Sequence, residues 1–265
     1  MTPTNVPDTV TAAADRLRTA AATATPVEPV RDLIGRDDVA AAYAVQELLT
    51  RERVAAGARI VGRKIGLTSA AVQAQIGVDQ PDFGVLFDDM AYADGDTIAY
   101  ASVLQPRVEG EIAFVLAEDL VEGDLDAEQV RGAIGYAVAA LEVCGSRVAG
   151  WDISFGDTVA DNASAGVYVL GTERKGLAEF TPVDAAMTMT IDGEEVSTGS
   201  GAACLGDPIK AVVWLARKAR EFGEPLRAGQ VLLSGALGPM RPIPPGATVQ
   251  ATVTGLGSVS AHFSD

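Results

Sequence analysis

A chain of 265 residues, 48% of them apolar, can bury a sizeable core as one large domain or two small ones. Its formal charge of −16 weighs against the basic face that phosphate binding needs, so neither nucleic acid nor an anionic membrane surface is expected as a partner. With a single histidine, His262, in a terminal strand, a Ser-His-Asp triad, a Cys-His dyad or a two-histidine zinc site must each recruit that residue or fail.

The first residues, MTPTNVPDTVTAAADRLRTAAATATP, carry Asp8, Asp15, Arg16 and Arg18 where a signal peptide needs a continuous apolar block. No run of about 18 uncharged apolar residues follows anywhere, so a cytoplasmic location is expected. Two cysteines, Cys144 and Cys204, suit a reduced compartment and read as packed small side chains. The alanine-rich start predicts two helices separated by TPVEPVRD, whose Pro26 and Pro29 break any continuous helix. The second begins near Asp37 and Asp38 and ends around Gly57. Residues 1–60 are expected to form a helical subdomain packed on a body spanning 61–265.

From Arg59 onward glycines punctuate short apolar runs, which predicts a strand-rich body. Asp192-Gly193, within TIDGEEV, marks a hairpin. One later helix is expected after Asp207, with Pro208 in its first turn, Ile209, Val212, Val213 and Ala216 as its apolar stripe, and Gly223 beyond its end. The fold class is α+β, dominated by bent sheet, with a small helical N-terminal part.

LQPRVEGEIAFVL looks like a buried strand, yet it carries Glu109 and Glu111 two positions apart. Alternation places both on one face, roughly 7 Å apart along the backbone, with Val108, Gly110, Ile112 and Phe114 on the other. Taken alone, the stretch fits solvated acids on a half-exposed strand. AVAALEVCGSR adds a second anomaly, because Glu142 follows a run of small aliphatic residues and an unpaired buried carboxylate is costly. One divalent cation satisfies all three glutamates, and oxygen ligands without Cys or His point to Mg2+ or Mn2+.

GRKIGLTSAAVQAQIGVDQPDFGVLFDDM places Lys64 on the face of Gly62 and Gly66, where a ligand or another backbone can come close. Asp79 and Asp82 follow in a turn around Pro81 that can fold over a site, although solvated turn residues fit the same pattern. Asn162 and Ser164, just before a strand, are candidate donors to a carboxylate as well as ordinary turn residues. The Gly-rich loop LLSGALGPM, through Ser234, Gly235 and Leu237, can present backbone N–H groups to an anion. GSGAAC from Gly199 is a near miss to a dinucleotide fingerprint without its strand-then-helix context.

Six ordered segments, GRKIGLTS, GVDQPDFGVLF, LQPRVEGEIAFVL, ALEVCGSRVAGWDISFGDTVADNASAGVYVLG, GAACLGDPIKAVVWLARK and LSGALGPM, resemble the 2-hydroxypenta-2,4-dienoate (2-keto-4-pentenoate) hydratases of the fumarylacetoacetate hydrolase superfamily. The resemblance implies a β-rich fold of the fumarylacetoacetase C-terminal type and a divalent-metal site at Glu109, Glu111 and Glu142. It also implies a homo-oligomer, pentameric or decameric, and a small-molecule 2-hydroxydienoate substrate with a pathway aldolase as partner. The superfamily's hydrolases resemble one another in a histidine–glutamate dyad ahead of the metal motif, and no histidine precedes Glu109 here. The sister 4-oxalocrotonate decarboxylases share the metal site, the lysine and ADNAS, but differ at PDFG and GALGPM. A metal-stabilised scaffold subunit without catalysis is the alternative of another class.

The implied reaction is water addition. The 2-hydroxy-2,4-dienoate, held through its carboxylate and 2-oxygen, ketonises to a 2-oxo-3-enoate; water adds at C4, and protonation at C3 gives a 4-hydroxy-2-oxoacid. On this resemblance Lys64, paired with Asp82 or Asp79, moves protons and stabilises the enolate. Ser164 and the 234–238 loop hold the substrate carboxylate.

Overall fold

Alanine-rich sequence folds here as the helices its propensity favours: α1 (Asp8–Thr23), the single turn α2 (Arg31–Ile34) and α3 (Val39–Ala55). The computed structural model describes residues 6–69, 73–74 and 78–265. Asp38 caps α3 by accepting the Ala41 N–H at 3.0 Å, and the chain leaves the helix through Gly57 at φ 106°.

Among the described residues, thirteen strands follow, with three further full helices among them. They are β1 (Ile60–Gly66), β2 (Asp82–Phe87), β3 (Ala91–Ala93), β4 (Thr97–Ile98), β5 (Arg107–Leu116), α4 (Ala127–Ala133), β6 (Ile134–Cys144), α5 (Phe155–Ala160), β7 (Ala165–Leu170), β8 (Ala186–Ile191), β9 (Glu194–Ser200), α6 (Pro208–Glu221), β10 (Val231–Leu233), β11 (Arg241–Pro242), β12 (Thr248–Val253) and β13 (Gly257–Phe263). The larger sheet runs β2-β1-β10-β5-β6-β7-β3 with β11 added beside β5; the smaller runs β4-β13-β12-β8-β9. Three pairings are parallel (β1 with β10, β3 with β7, β4 with β13) and the rest antiparallel.

The sheets pack through the β5 face that carries Gly110. A Cβ there would lie 3.0 Å from Met187 Sδ on β8 and 3.3 Å from Ala251 Cβ on β12, so glycine lets the sheets close. Val108, Ile112 and Phe114 share this face and are fully buried, and their apolar cluster continues into α1, α3 and α6. Glu109, Glu111 and Ala113 therefore emerge on the opposite face.

Local signals behave as their chemistry requires. Asp192 and Gly193 both take positive φ, 52° and 84°, in the two-residue turn joining β8 to β9. Asp207 caps α6 through the Ile209 N–H, and Gly223 follows it at φ 80°. The glycines of GSGAAC are packing positions: a Cβ on Gly199 would lie 1.7 Å from Leu237 O, and one on Gly201 1.8 Å from Pro182 O. None of the described helices is long and apolar enough to cross a membrane.

Buried polar contacts also tie the N-terminal segment to β2 and α5. Gln46 on α3 donates to Phe83 O and Val159 O at 3.0 and 2.9 Å. Asp157 on α5, fully buried, accepts from the Val30, Arg31 and Ser154 amides, the Ser154 hydroxyl and the Arg31 guanidinium. Burying that carboxylate is tolerable because five donors surround it.

Candidate active site and metal centre

Register decides which acids meet. Glu109 on β5 stands directly opposite Glu142 on β6, and Glu111 lies opposite Ala140, diagonal to Glu142 on the same face. Lys64 on β1 shares that face, since it pairs with Leu233, which pairs with Ala113. Its Nζ lies 2.9 Å from Glu142 Oε1 and donates to Ala163 O at 2.8 Å. The contact with Glu142 is an ion pair angled away from hydrogen-bond geometry, so both Glu142 oxygens remain without a hydrogen-bond donor.

Asp82 opens β2 beside Lys64, and Gly66 makes the space: a Cβ there would lie 2.2 Å from Asp82 Oδ1 and 3.4 Å from Lys64 Nζ. Asp79, in the same turn, is exposed, so burial separates two acids that the sequence leaves equivalent. Glu111 accepts the Gly235 N–H at 2.9 Å on Oε2. The buried side-chain oxygens without a partner among the described residues are Asp82 Oδ1, Glu111 Oε1, both Glu142 oxygens and Ser234 Oγ.

These groups stand in a field short of positive charge. Burial, then Glu142, pushes Glu109 up to about 7, although the residue itself is half-buried by accessible surface. Burial, then Glu142 and Glu109, raises Glu111 well above the carboxylate range, the Gly235 N–H easing it only in part. Asp82 is raised to about 6 by burial, with Lys64 opposing. Burial opposes the charge on Lys64, but the acids around it, Glu142 foremost, outweigh that and hold its pKa well above the ordinary value. Converging carboxylates with orphaned oxygens fit a hard divalent cation, which supplies the missing charge and the missing partners together.

The mutually close donor set differs from the expected three glutamates. One oxygen from each of Glu109 and Glu142 and the sulfur of Cys144 lie within 4.8 Å of one another. Glu111 stands beside that set, turned to Gly235. Cys144, a buried free thiol two positions after Glu142, has its sulfur beside the acidic face, and burial with Glu142 and Glu109 raises its pKa well above the ordinary value.

The remaining sequence candidates divide. Ser234 is fully buried, its hydroxyl unpaired. The Ser164 hydroxyl lies 3.2 Å from Thr158 Oγ1. The Asn162 amide pairs with β2, accepting Val85 N–H at 2.7 Å and donating one of its two N–H groups to Val85 O at 2.9 Å. The Leu237 N–H is likewise spent on Gly110 O, and the Gly235 N–H on Glu111.

The turn that carries Ala163 is strained. Asn162, Ala163 and Ser164 take φ of 55°, 51° and 53°, a left-handed stretch costing on the order of 1–2 kcal/mol per residue. Arg147 holds it: the guanidinium grips the Asp161 carboxylate, the Asp161 carbonyl at 2.7 Å and Ala165 O at 2.9 Å. A cavity of about 570 Å3 borders this turn from the α1–α3 side, lined by Leu17, Leu49, Phe87, Met90 and Val103, and none of the convergent acids reaches it.

The family profile described as "Fumarylacetoacetate (FAA) hydrolase C-terminal" matches residues 59–264. The chain belongs to the fumarylacetoacetate hydrolase family. Within and around it, the chain is 54% identical over 95% of its length to "TodF product hydratase" of Pseudomonas putida strain F1, covering 94% of that protein. It is 50% identical to the 2-keto-4-pentenoate hydratase of Paraburkholderia xenovorans strain LB400, over 95% of this chain and 93% of that one. Among solved structures it resembles 4-oxalocrotonate decarboxylase from Pseudomonas putida G7, complexed with magnesium and adipate, at TM-score 0.91 and 34% identity over 96% and 97% of the two chains.

For this member of the fumarylacetoacetate hydrolase family, the sequence motifs assign no place around the acidic face to Cys144, Arg147, Asp157 or Thr68. The alternation that aligned the glutamates also puts Cys144 on their face, and that signal was readable. Arg147 and Asp157 act through long-range contacts and leave no local pattern. Thr68 is buried against Gly235, where a Cβ would meet its Oγ1 at 2.5 Å, so it fixes the loop whose amide orients Glu111.

Proposed function

We propose that this chain is a metal-dependent hydro-lyase that adds water to a 2-hydroxy-2,4-dienoate, through its 2-oxo-3-enoate tautomer, to give a 4-hydroxy-2-oxoacid in meta-cleavage catabolism. The observation that carries the reading is the buried acidic face: Asp82, Glu111 and Glu142 keep unpartnered oxygens beside the one buried lysine. Hydratases at 54% and 50% identity, against 34% for the decarboxylase, favour water addition over loss of carbon dioxide.

Glu109, Glu111 and Glu142 would hold the cation, Mg2+ or Mn2+, which when bound supplies positive charge to a developing enolate oxygen. Lys64 and Asp82 move the protons. The ammonium is fixed by Ala163 O and Glu142, and Asp82, buried beside it with Oδ1 unpaired, is the carboxylate placed to exchange a proton with it. Ser234, with its free hydroxyl, and Ser164 hold the substrate carboxylate. Asp79, exposed, and Asn162 and Leu237, each bonded to neighbouring backbone, serve the loops around the site.

A cytoplasmic homo-oligomer, pentameric or decameric, passing its product to an aldolase belongs to the same proposal, and sedimentation velocity tests the assembly. The catalytic test adds EDTA-stripped protein to freshly generated 2-hydroxypenta-2,4-dienoate with and without Mg2+ or Mn2+, following loss of the dienol absorbance and the product mass. Metal-dependent gain of one water is expected. Carbon dioxide release from 4-oxalocrotonate instead would make the chain a decarboxylase.

A further inference from the structure

We propose that the acidic face has a second mode of metal binding, in which Cys144 joins Glu109 and Glu142 to take a thiophilic divalent cation such as Zn2+ or Cd2+ and so displaces the hard ion. The inference deepens the metal site proposed above and rests on it. The donors are on the page: the Cys144 sulfur and one oxygen from each of Glu109 and Glu142 lie within 4.8 Å of one another. Glu142 is buried; Lys64 Nζ stands 2.9 Å from its Oε1, and its Oε2 has neither a hydrogen bond nor an ion-pair partner among the described residues, so a buried oxygen is left over at the cluster.

Strand geometry makes the arrangement stiff. Glu142 and Cys144 are two residues apart on β6 and share a face, and Glu109 is the cross-strand partner of Glu142. Small rotamer changes turn these separations into a tetrahedral set with one open position, which suits Zn2+ or Cd2+. A hard ion prefers the other side of the same carboxylates, where Glu111 supplies oxygen in place of sulfur. Glu109 and Glu142 are thus common to both modes, and the choice between Glu111 and Cys144 sets which metal is held. When the soft ion enters, the S–H bond breaks, the proton leaves to solvent and a metal–sulfur bond forms, with no change of oxidation state.

Free Mn2+ is read by its electron paramagnetic resonance signal, and Cd2+ by thiolate-to-metal charge-transfer absorption, on the full-length EDTA-stripped protein. Cd2+ is expected to produce that absorption and release bound Mn2+. Cys144→Ser is expected to lose the absorption and weaken Cd2+ at least about tenfold while retaining Mn2+; Cys144→Ala replaces it if the serine variant does not fold. Mn2+ binding without any Cd2+ charge transfer in the wild-type protein overturns the proposal and leaves the hard-ion site standing. Charge transfer that persists in the variant, or that leaves Mn2+ bound, places the thiolate elsewhere and also overturns it. Cys144-dependent charge transfer in a protein that binds no Mn2+ supports the soft site and removes the hard-ion reading.

Discussion

Lys64 Nζ and Glu142 Oε1 lie 2.9 Å apart as a buried ion pair joining β1 to β6, and Lys64 is also tied to Ala163 O. Removing one partner of a buried pair leaves an uncompensated charge, at about 3–5 kcal/mol. Lys64→Ala is therefore expected to lower the stability of metal-free protein by about that amount in urea denaturation, and saturating Mg2+ to recover much of it. Turnover should fall by about a hundredfold or more even with metal bound. An equal loss of stability with and without Mg2+ would show that the ion does not reach Glu142.

Asp82 and Glu109 predict an unusual pH dependence of the metal-free protein. Their folded pKa values, about 6 and about 7, exceed the ordinary 3.8 and 4.5. A raised carboxyl pKa contributes stability that is complete below the unfolded value and disappears as pH rises through the folded one. Metal-free protein should thus lose on the order of 3 kcal/mol between about pH 4 and pH 7, with solvent at half-buried Glu109 trimming its share. Bound Mg2+ keeps the acids ionised, so the gap between metal-free and Mg2+-loaded stability widens with pH. A gap that stays constant over this range would rule the account out.

Two glycine substitutions should separate site from scaffold. The Cβ of Gly66→Ala presses on Asp82 Oδ1 at 2.2 Å, and a side chain can yield, so activity should fall by about a hundredfold with little change in stability. The Cβ of Gly199→Ala meets the Leu237 carbonyl at 1.7 Å, and backbone cannot yield cheaply, so this variant should lose about 1–3 kcal/mol. Steady-state kinetics beside urea melts read both. Full activity in Gly66→Ala would mean that the placement of Asp82 is immaterial.

Arg147→Lys keeps the charge but loses the fork that grips Asp161 and Ala165 O. The three left-handed residues it restrains should relax, releasing Ala163 O from Lys64. Stability is expected to fall by about 2 kcal/mol, and amide hydrogen exchange at Asn162–Ser164 to accelerate. Unchanged exchange there would show that the turn holds itself.

By itself the sequence determined what depends on neighbours along the chain. Alternation put Glu109 and Glu111 on one strand face, Asp38 and Asp207 capped their helices, Asp192-Gly193 made the hairpin turn, and proline split the N-terminal helices. Each is set by backbone geometry within a few residues. Register and burial were decided only in three dimensions: Glu109 opposite Glu142, Asp82 buried while Asp79 three residues away is exposed, Glu111 turned to Gly235, and the Asn162 amide bonded to Val85. Those outcomes join residues 33 to 124 positions apart in the chain. No local pattern encodes such pairings, because the energy that selects them comes from packing two sheets and from satisfying buried charge.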